Sequence, residues 1–228
     1  MADITEIREL ARKLNLWNIA RGYIDLNDEK LSNLDYLQMI LHKELEIRAR
    51  QKQIKLRRAS KLPNKVFELS NLNKGLEWQI KQLSHLTWLN EEQNVILLGK
   101  CGTGKTSLAV HLGETAIDKG HKTYYASTDT FVSIVENKDI NPKAGAAFSY
   151  MRECNLIIID DVFYLEPTRS ELQAFYRAVT FLNETRSIIF ITNREISAWL
   201  DVVEDKHLCQ TLLDRITVNC QIIRLIDR

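Results

Sequence analysis

Apolar residues recur at two different spacings along the chain, and the change of spacing divides it. Near the N-terminus Ile4, Ile7, Leu10, Ala11 and Leu14 fall at helical intervals. A second series, Leu34, Leu37, Leu41 and Leu45, follows, with Asn33 placed as its cap. No strand-like run interrupts these patterns. Periodicity then breaks over SKLPNKVFELSNLNKG, where Pro63, Asn64, Asn71, Asn73 and Gly75 stand. A boundary is expected near residue 65, giving a small all-helical N-terminal domain over 1–65 and a second domain over 66–228.

Past the break, short apolar runs alternate with helical patterns. The runs are Val95–Leu98, Thr123–Ala126, Leu156–Ile159, Ser187–Ile191 and Gln221–Leu225, and helical stretches such as Thr106–Lys119 and Arg169–Leu182 fill the gaps. Strand and helix in alternation predict an α/β layer fold with a mainly parallel sheet. Strands covered on both faces should be continuously apolar, as these are.

Between the first run and its helix lies Gly99-Lys100-Cys101-Gly102-Thr103-Gly104-Lys105-Thr106, which fits G-x-x-x-x-G-K-[ST] in the strand–loop–helix setting that the pattern requires. Three of the chain's eight glycines sit within it. A phosphate chain wrapped by backbone N–H groups needs a loop without obstructing side chains, and the following helix adds unpaired N–H groups and the positive end of its dipole. ATP is the expected cofactor, held by Gly99 through Ser107. Lys105 supplies a charge for the β- and γ-phosphates, and Thr106 offers a hydroxyl to Mg²⁺.

Magnesium also needs a carboxylate from a nearby strand. NLIIIDDVF places Asp160 and Asp161 at a strand's exit, where ligands of parallel sheets sit. Asp160 is the expected metal ligand, acting through water, and Asp161 the residue that orients or polarises the attacking water. In SIIFITNRE, Asn193 ends another buried strand, either positioning that water or capping the next turn. Arg215 in LLDRITVN either reaches a neighbouring subunit's γ-phosphate or contacts Asp214 at the surface. Leu76–Leu89 either borders the adenine or is a packing helix.

Composition changes this picture little. Among 228 residues, 45% are hydrophobic, and the net charge of +1 argues against a uniformly basic coat. From Lys43 to Lys65, however, nine basic residues face only Glu44 and Glu46, a local +7 that leaves −6 for the rest. Arg48, Arg50, Lys52, Lys55, Arg57, Arg58 and Lys61 are the candidate DNA contacts, to duplex phosphates in the absence of an aromatic ladder; the alternative is a solvated helix face. Lys138, Lys143 and Arg152 form another candidate set. Cys101, Cys154, Cys209 and Cys220 form no CxxC pair and read as reduced thiols. The opening MADITEIREL is no signal peptide, and no apolar run is long enough for a bilayer, so a cytoplasmic protein without membrane contact is expected.

The runs LIIIDDVFYLEPTRSE and FITNREISAWLDVVEDKHLCQTLLDRI resemble the IstB-like ATP-binding proteins, the AAA+ helpers of insertion-sequence transposases related to the DnaC/DnaI helicase loaders. Trp199 and LLDR resemble the transposition branch. The likeness covers nearly the whole chain and is strongest from Gly99 to Arg215. It implies a P-loop AAA+ core with sheet order 5-1-4-3-2 and subunits that assemble on DNA with ATP at their interfaces. By resemblance Gly99–Thr106 are Walker A, Asp160–Asp161 Walker B, Asn193 sensor 1 and Arg215 an arginine finger acting in trans. It further implies an ATPase, slow and stimulated by DNA or a partner, that assists or regulates a transposase; a replicative-helicase loader is the alternative. A small-molecule kinase would need a lid and acceptor site that the sequence does not show. Asp161 stands where many AAA+ proteins carry Glu, in keeping with slow hydrolysis. A GxSYR-like segment usual in the family is not seen before Arg228, and no arginine is assigned as sensor 2.

Overall fold

A computed structural model describes residues 4–26, 32–68 and 74–226. By contacts the chain divides into two compact units, Met1–Lys55 and Leu56–Arg228.

In the first unit lie α1 (Ile4–Lys13), α2 (Trp17–Ala20) and most of α3 (Asn33–Ala59). Its core is small: Ala11, Ile19, Ala20, Ile24 and Ile40. Ser32, rather than Asn33, caps α3, its Oγ accepting from Asp35 N at 3.3 Å while donating to Asp35 Oδ2 at 2.6 Å. Glu44 is buried, and its carboxylate accepts from Asn18 N at 3.1 Å, Ile19 N at 3.2 Å and Arg48 Nε at 2.8 Å. It therefore satisfies the first N–H groups of α2, which has no side-chain cap of its own.

The second unit is built on five parallel strands, β1 (Asn94–Leu98), β2 (Thr123–Ser127), β3 (Leu156–Asp160), β4 (Ser187–Thr192) and β5 (Cys220–Arg224), in the order β2-β3-β4-β1-β5. This is the order 5-1-4-3-2 that the resemblance implied. The strands' successive residues enter opposite layers. Val95, Leu97, Leu156, Ile158, Ile189 and Ile191 pack with Leu108, Leu112 and Ile117 of α5 (Lys105–Asp118). Ile96, Ile157, Ile159, Ile188 and Phe190 pack with α6 (Thr128–Asn137), α7 (Pro142–Met151), α8 (Arg169–Asn183) and α9 (Lys206–Thr217). Full burial of an aliphatic side chain stabilises by about 1.5–3 kcal/mol, so covering both faces is what makes the continuous apolar runs fold as strands.

Polar residues set the helix starts. Ser127 caps α6, Asn141 caps α7 with Pro142 following, and Asp205 caps α9. Thr168 and Glu171 form a reciprocal capping box on α8. Between Leu76 and Leu89, α4 (Lys74–Ser84) buries Leu76, Ile80 and Leu83, and the 3-10 turn Thr87–Leu89 buries Trp88, so this stretch packs in the core.

The two units meet in sequence within α3, ahead of the expected position near 65. Leu56 and Leu62 belong to the core that contains α5. Arg57 donates to Glu114 Oε1 at 3.2 Å, Leu62 O at 2.7 Å and Pro63 O at 3.2 Å. Tyr125 N donates to Ser60 O at 2.7 Å, so the segment after α3 lies along the outer edge of β2. No helix among the described residues is long and apolar enough to cross a membrane.

Candidate nucleotide site

Parallel register brings the strand exits to one edge of the sheet. Leu98 is level with Thr192 and Arg224, and Ser127 with Asp160. The residues that follow β1, β3 and β4 therefore share a rim, with β4 between the other two. The glycine-rich loop leaves β1, the paired aspartates leave β3, and Asn193 leaves β4.

Two glycines of the loop have separate reasons. A Cβ on Gly99 would lie 2.3 Å from Leu225 O, so close approach to the strand-exit backbone excludes a side chain. Gly104 starts α5 at φ 91°, a left-handed conformation with no side-chain cap, leaving the helix's first N–H groups directed at the loop. Lys105, largely buried, donates through Nζ to Gly99 O at 2.6 Å and Lys100 O at 2.7 Å. Burial pulls its pKa down, opposed by Cys101, Asp160 and Asp161. Lys100, Cys101 and Gly102 are exposed along the loop, while Thr103, Thr106 and Ser107 are half-buried.

Thr106 Oγ1 donates to Asp160 Oδ2 at 2.9 Å, joining the loop to β3 across the sheet. The same oxygen accepts from Tyr125 Oη at 2.7 Å, and Asp160 Oδ1 accepts from Asp161 N at 2.8 Å. Burial first, then the hydrogen bond to Asp160 and its charge, raises the Tyr125 pKa and keeps the phenol a donor. Asp160 is buried with the Thr106 hydroxyl against its carboxylate, two hard oxygen groups of the kind suited to a magnesium ion.

Asp161 turns outward at φ 57°, and Phe163 repeats the left-handed backbone at φ 53°. Such residues cost of order 1–3 kcal/mol each and need surrounding structure to hold them. Val162 N donates to Ile191 O at 2.9 Å, Thr192 Oγ1 to Val162 O at 3.2 Å, Arg194 Nε to Phe163 O at 3.0 Å and Arg194 Nη2 to Tyr164 O at 3.3 Å. Beneath them the Phe163 ring meets Trp199 edge-on at 4.9 Å. Asp161 is thereby turned to solvent beside Asp160; the partial shielding of its carboxyl by the strand exit, followed by the Asp160 charge, raises its pKa, while Lys105 and Lys65 oppose the rise.

Asn193 is exposed and lines a cleft of about 280 Å³ together with Leu98, Gly99, Lys100, Glu195 and Arg224. It lies beside the loop, just past the end of β4, the strand between β1 and β3. Arg215 is exposed in the last turn of α9 and forms no hydrogen bond or ion pair with described residues. Asp214, the alternative partner, instead accepts from Gln210 Nε2 at 2.8 Å.

The basic run separates into two kinds. Arg48 is held by Glu44 and the Asn15 carbonyl, and Arg57 by Glu114 and two carbonyls, so both serve local structure. Arg50, Lys52, Lys55, Arg58 and Lys61 are exposed, and their side chains pair with no described residue. In the other basic set, Lys138 pairs with Asp139 at 2.9 Å while its ammonium lies 5.9 Å from the Phe148 ring, and Arg152 lies 5.5 Å from Phe181. Tyr125 and Arg194 were not among the expected site residues. Tyr125 appeared only as part of an apolar run, and Arg194 only as the neighbour of Asn193.

The chain is similar to known proteins in sequence and in fold. An insertion sequence IS21-like ATP-binding protein of Bacteroides fragilis is 28% identical over 228 residues, covering 96% of this chain and 87% of its own length. Among solved structures, the DnaC helicase loader matches with a TM-score of 0.56 at 15% identity, over 75% of this chain and 98% of that one. The AMPPCP-bound DnaA of Aquifex aeolicus matches with a TM-score of 0.56 at 20% identity, over 73% and 51%. At these identities the structures establish the shared AAA+ architecture. The model of the IstB-like ATP binding proteins matches residues 10–227, and with that span, sheet order and phosphate-loop pattern the chain belongs to this family.

Proposed function

We propose that this protein is a magnesium-dependent ATPase that assembles on duplex DNA and assists or regulates the transposase of an insertion sequence. The observation that carries the nucleotide part is the 2.9 Å hydrogen bond between Thr106 and Asp160, which joins the loop's end to the first strand-exit carboxylate. ATP phosphates would lie against the N–H groups from Gly99 to Ser107. Lys105 would leave the carbonyls of Gly99 and Lys100 to neutralise phosphate charge. Thr106 and Asp160 would hold Mg²⁺, which when bound neutralises charge on the β- and γ-oxygens. Asp161, turned outward, would accept the proton of an attacking water oriented by Asn193.

Assembly rests on Arg215, exposed and without a hydrogen-bond or ion-pair partner among the described residues, reaching the nucleotide of an adjacent subunit. Such a group stabilises only an assembled state, so nucleotide would bias the equilibrium between separate and joined subunits. DNA contact is supported by the exposed Arg50, Lys52, Lys55, Arg58 and Lys61. The names of the insertion-sequence relatives support the transposase as partner.

Electron microscopy of the protein with duplex DNA and a non-hydrolysable ATP analogue tests this reading. Rings or filaments should form, vanish with Lys105→Ala, and be lost with Arg215→Ala while each subunit still binds ATP. Calorimetry that detects no Mg²⁺–ATP uptake by folded protein would refute the nucleotide reading. Capture of a replicative helicase, and not of a transposase, would reassign the partner and make the protein a loader.

A further inference from the structure

We propose that Tyr125 is a positioning residue for Asp160, fixing which carboxylate oxygen remains available to the metal-bound nucleotide; this rests on the reading of Thr106 and Asp160 as the Mg²⁺ site. The argument begins with register. Tyr125 is level with Ile158 on the adjacent strand β3, and Asp160 lies two residues further along that strand. Residues two apart share a face of a sheet, so Tyr125 and Asp160 are diagonal neighbours across the strand pair. A diagonal of about 7–8 Å is within reach of an aromatic side chain. The phenol spans it and donates to Asp160 Oδ2 at 2.7 Å.

That oxygen also accepts from Thr106 Oγ1 at 2.9 Å, while Oδ1 accepts from Asp161 N at 2.8 Å. A carboxylate offers about four lone-pair sites, two on each oxygen. Oδ2 is filled by two protein donors, and Oδ1 keeps one site. Without the phenol, each oxygen keeps a single protein donor, and the difference in donors between Oδ2 and Oδ1 is lost. Thr128 Oγ1, donating to Asp160 O at 3.0 Å, restrains the main chain but leaves the carboxylate's rotation to the side-chain donors.

Tyr125 is itself anchored from outside the site. Its N–H donates to Ser60 O at 2.7 Å, and Ser60 is fully buried, with its Oγ donating to Arg57 O at 2.8 Å and accepting from Leu62 N at 3.3 Å. The phenol therefore reaches Asp160 from a fixed backbone. Groups in this position, behind a metal ligand, typically change metal affinity or activity 10- to 100-fold when removed.

Tyr125→Phe keeps the ring and removes the hydroxyl. The Mg²⁺ concentration that half-activates ATP turnover should rise by about 10- to 100-fold, while ATP affinity measured without Mg²⁺ and the melting temperature stay at their wild-type values. Tyr124→Phe, on the opposite face of β2, should leave all three unchanged. An unshifted Mg²⁺ midpoint in Tyr125→Phe overturns the proposal. So does an equal loss of Mg²⁺-free ATP affinity, or unfolding, because either makes the hydroxyl a general structural group. Wild-type protein that binds no Mg²⁺–ATP would instead refute the site reading itself.

Discussion

The rim of the sheet and the basic run of α3 both looked functional in sequence, but only the rim gathers its residues by construction. Asp160 and Asn193 are 33 positions apart in the chain and Thr106 is 54 from Asp160, yet parallel pairing brings the segments carrying them to one edge. In the basic run, neighbours in sequence have different fates. Arg57 is spent on Glu114 and the Leu62 and Pro63 carbonyls, whereas Arg58 is exposed without a described partner. A sheet converts separation in sequence into proximity; a helix divides adjacent residues among its faces.

Four substitutions sharpen this contrast. The largest effect should come at the rim: Lys105→Ala removes the loop's mobile charge and should lower ATP turnover by about 10²–10³-fold, measured by phosphate release with folding checked by circular dichroism. Glu44→Ala should act only on the helical unit, leaving the N–H groups of Asn18 and Ile19 without their acceptor. The expected cost is about 1–3 kcal/mol, read as lost hydrogen-exchange protection in α1 and α2 with the ATP affinity unchanged. Arg57→Ala should destabilise the second unit by about 1–2 kcal/mol, read by denaturant unfolding, without changing the salt dependence of DNA binding. Arg58→Ala should do the reverse: unchanged stability, and a slope of log affinity against log salt that is shallower by about 0.9. Equal behaviour of the two arginine variants would erase the distinction between them.

The strand cores and the phosphate loop were legible in sequence because each has a local cause. Continuous apolar burial marks the strands, whose observed ends lie within one residue of the expected runs. The loop's glycines mark a close backbone approach and left-handed conformations. What was hidden depended on partners distant in sequence. Glu44 looked like one of two acids in a basic stretch, and its burial follows only from Asn18 and Ile19 folding against it. Tyr125 looked like strand filler because periodicity gives a residue's face but not what it meets across the next strand. Arg194 became significant once Asp161 and Phe163 proved to have strained backbones for it to hold. The cap of α3 shifted by one residue because Ser32 also offered a hydroxyl, and helical spacing alone does not choose between adjacent capping side chains.

The main-chain bond from Tyr125 to Ser60 has a practical consequence for dissecting the protein. β2 borders the sheet, and an uncovered border strand is a template for pairing with another chain. A fragment beginning at residue 66 would discard Ser60 and Leu62, baring that border and part of the apolar layer beneath it. A fragment beginning at Leu56 retains both. Size-exclusion chromatography should therefore find the shorter fragment aggregated and the longer one dispersed, so the safe place to cut lies inside the helix and not at the proline-containing joint.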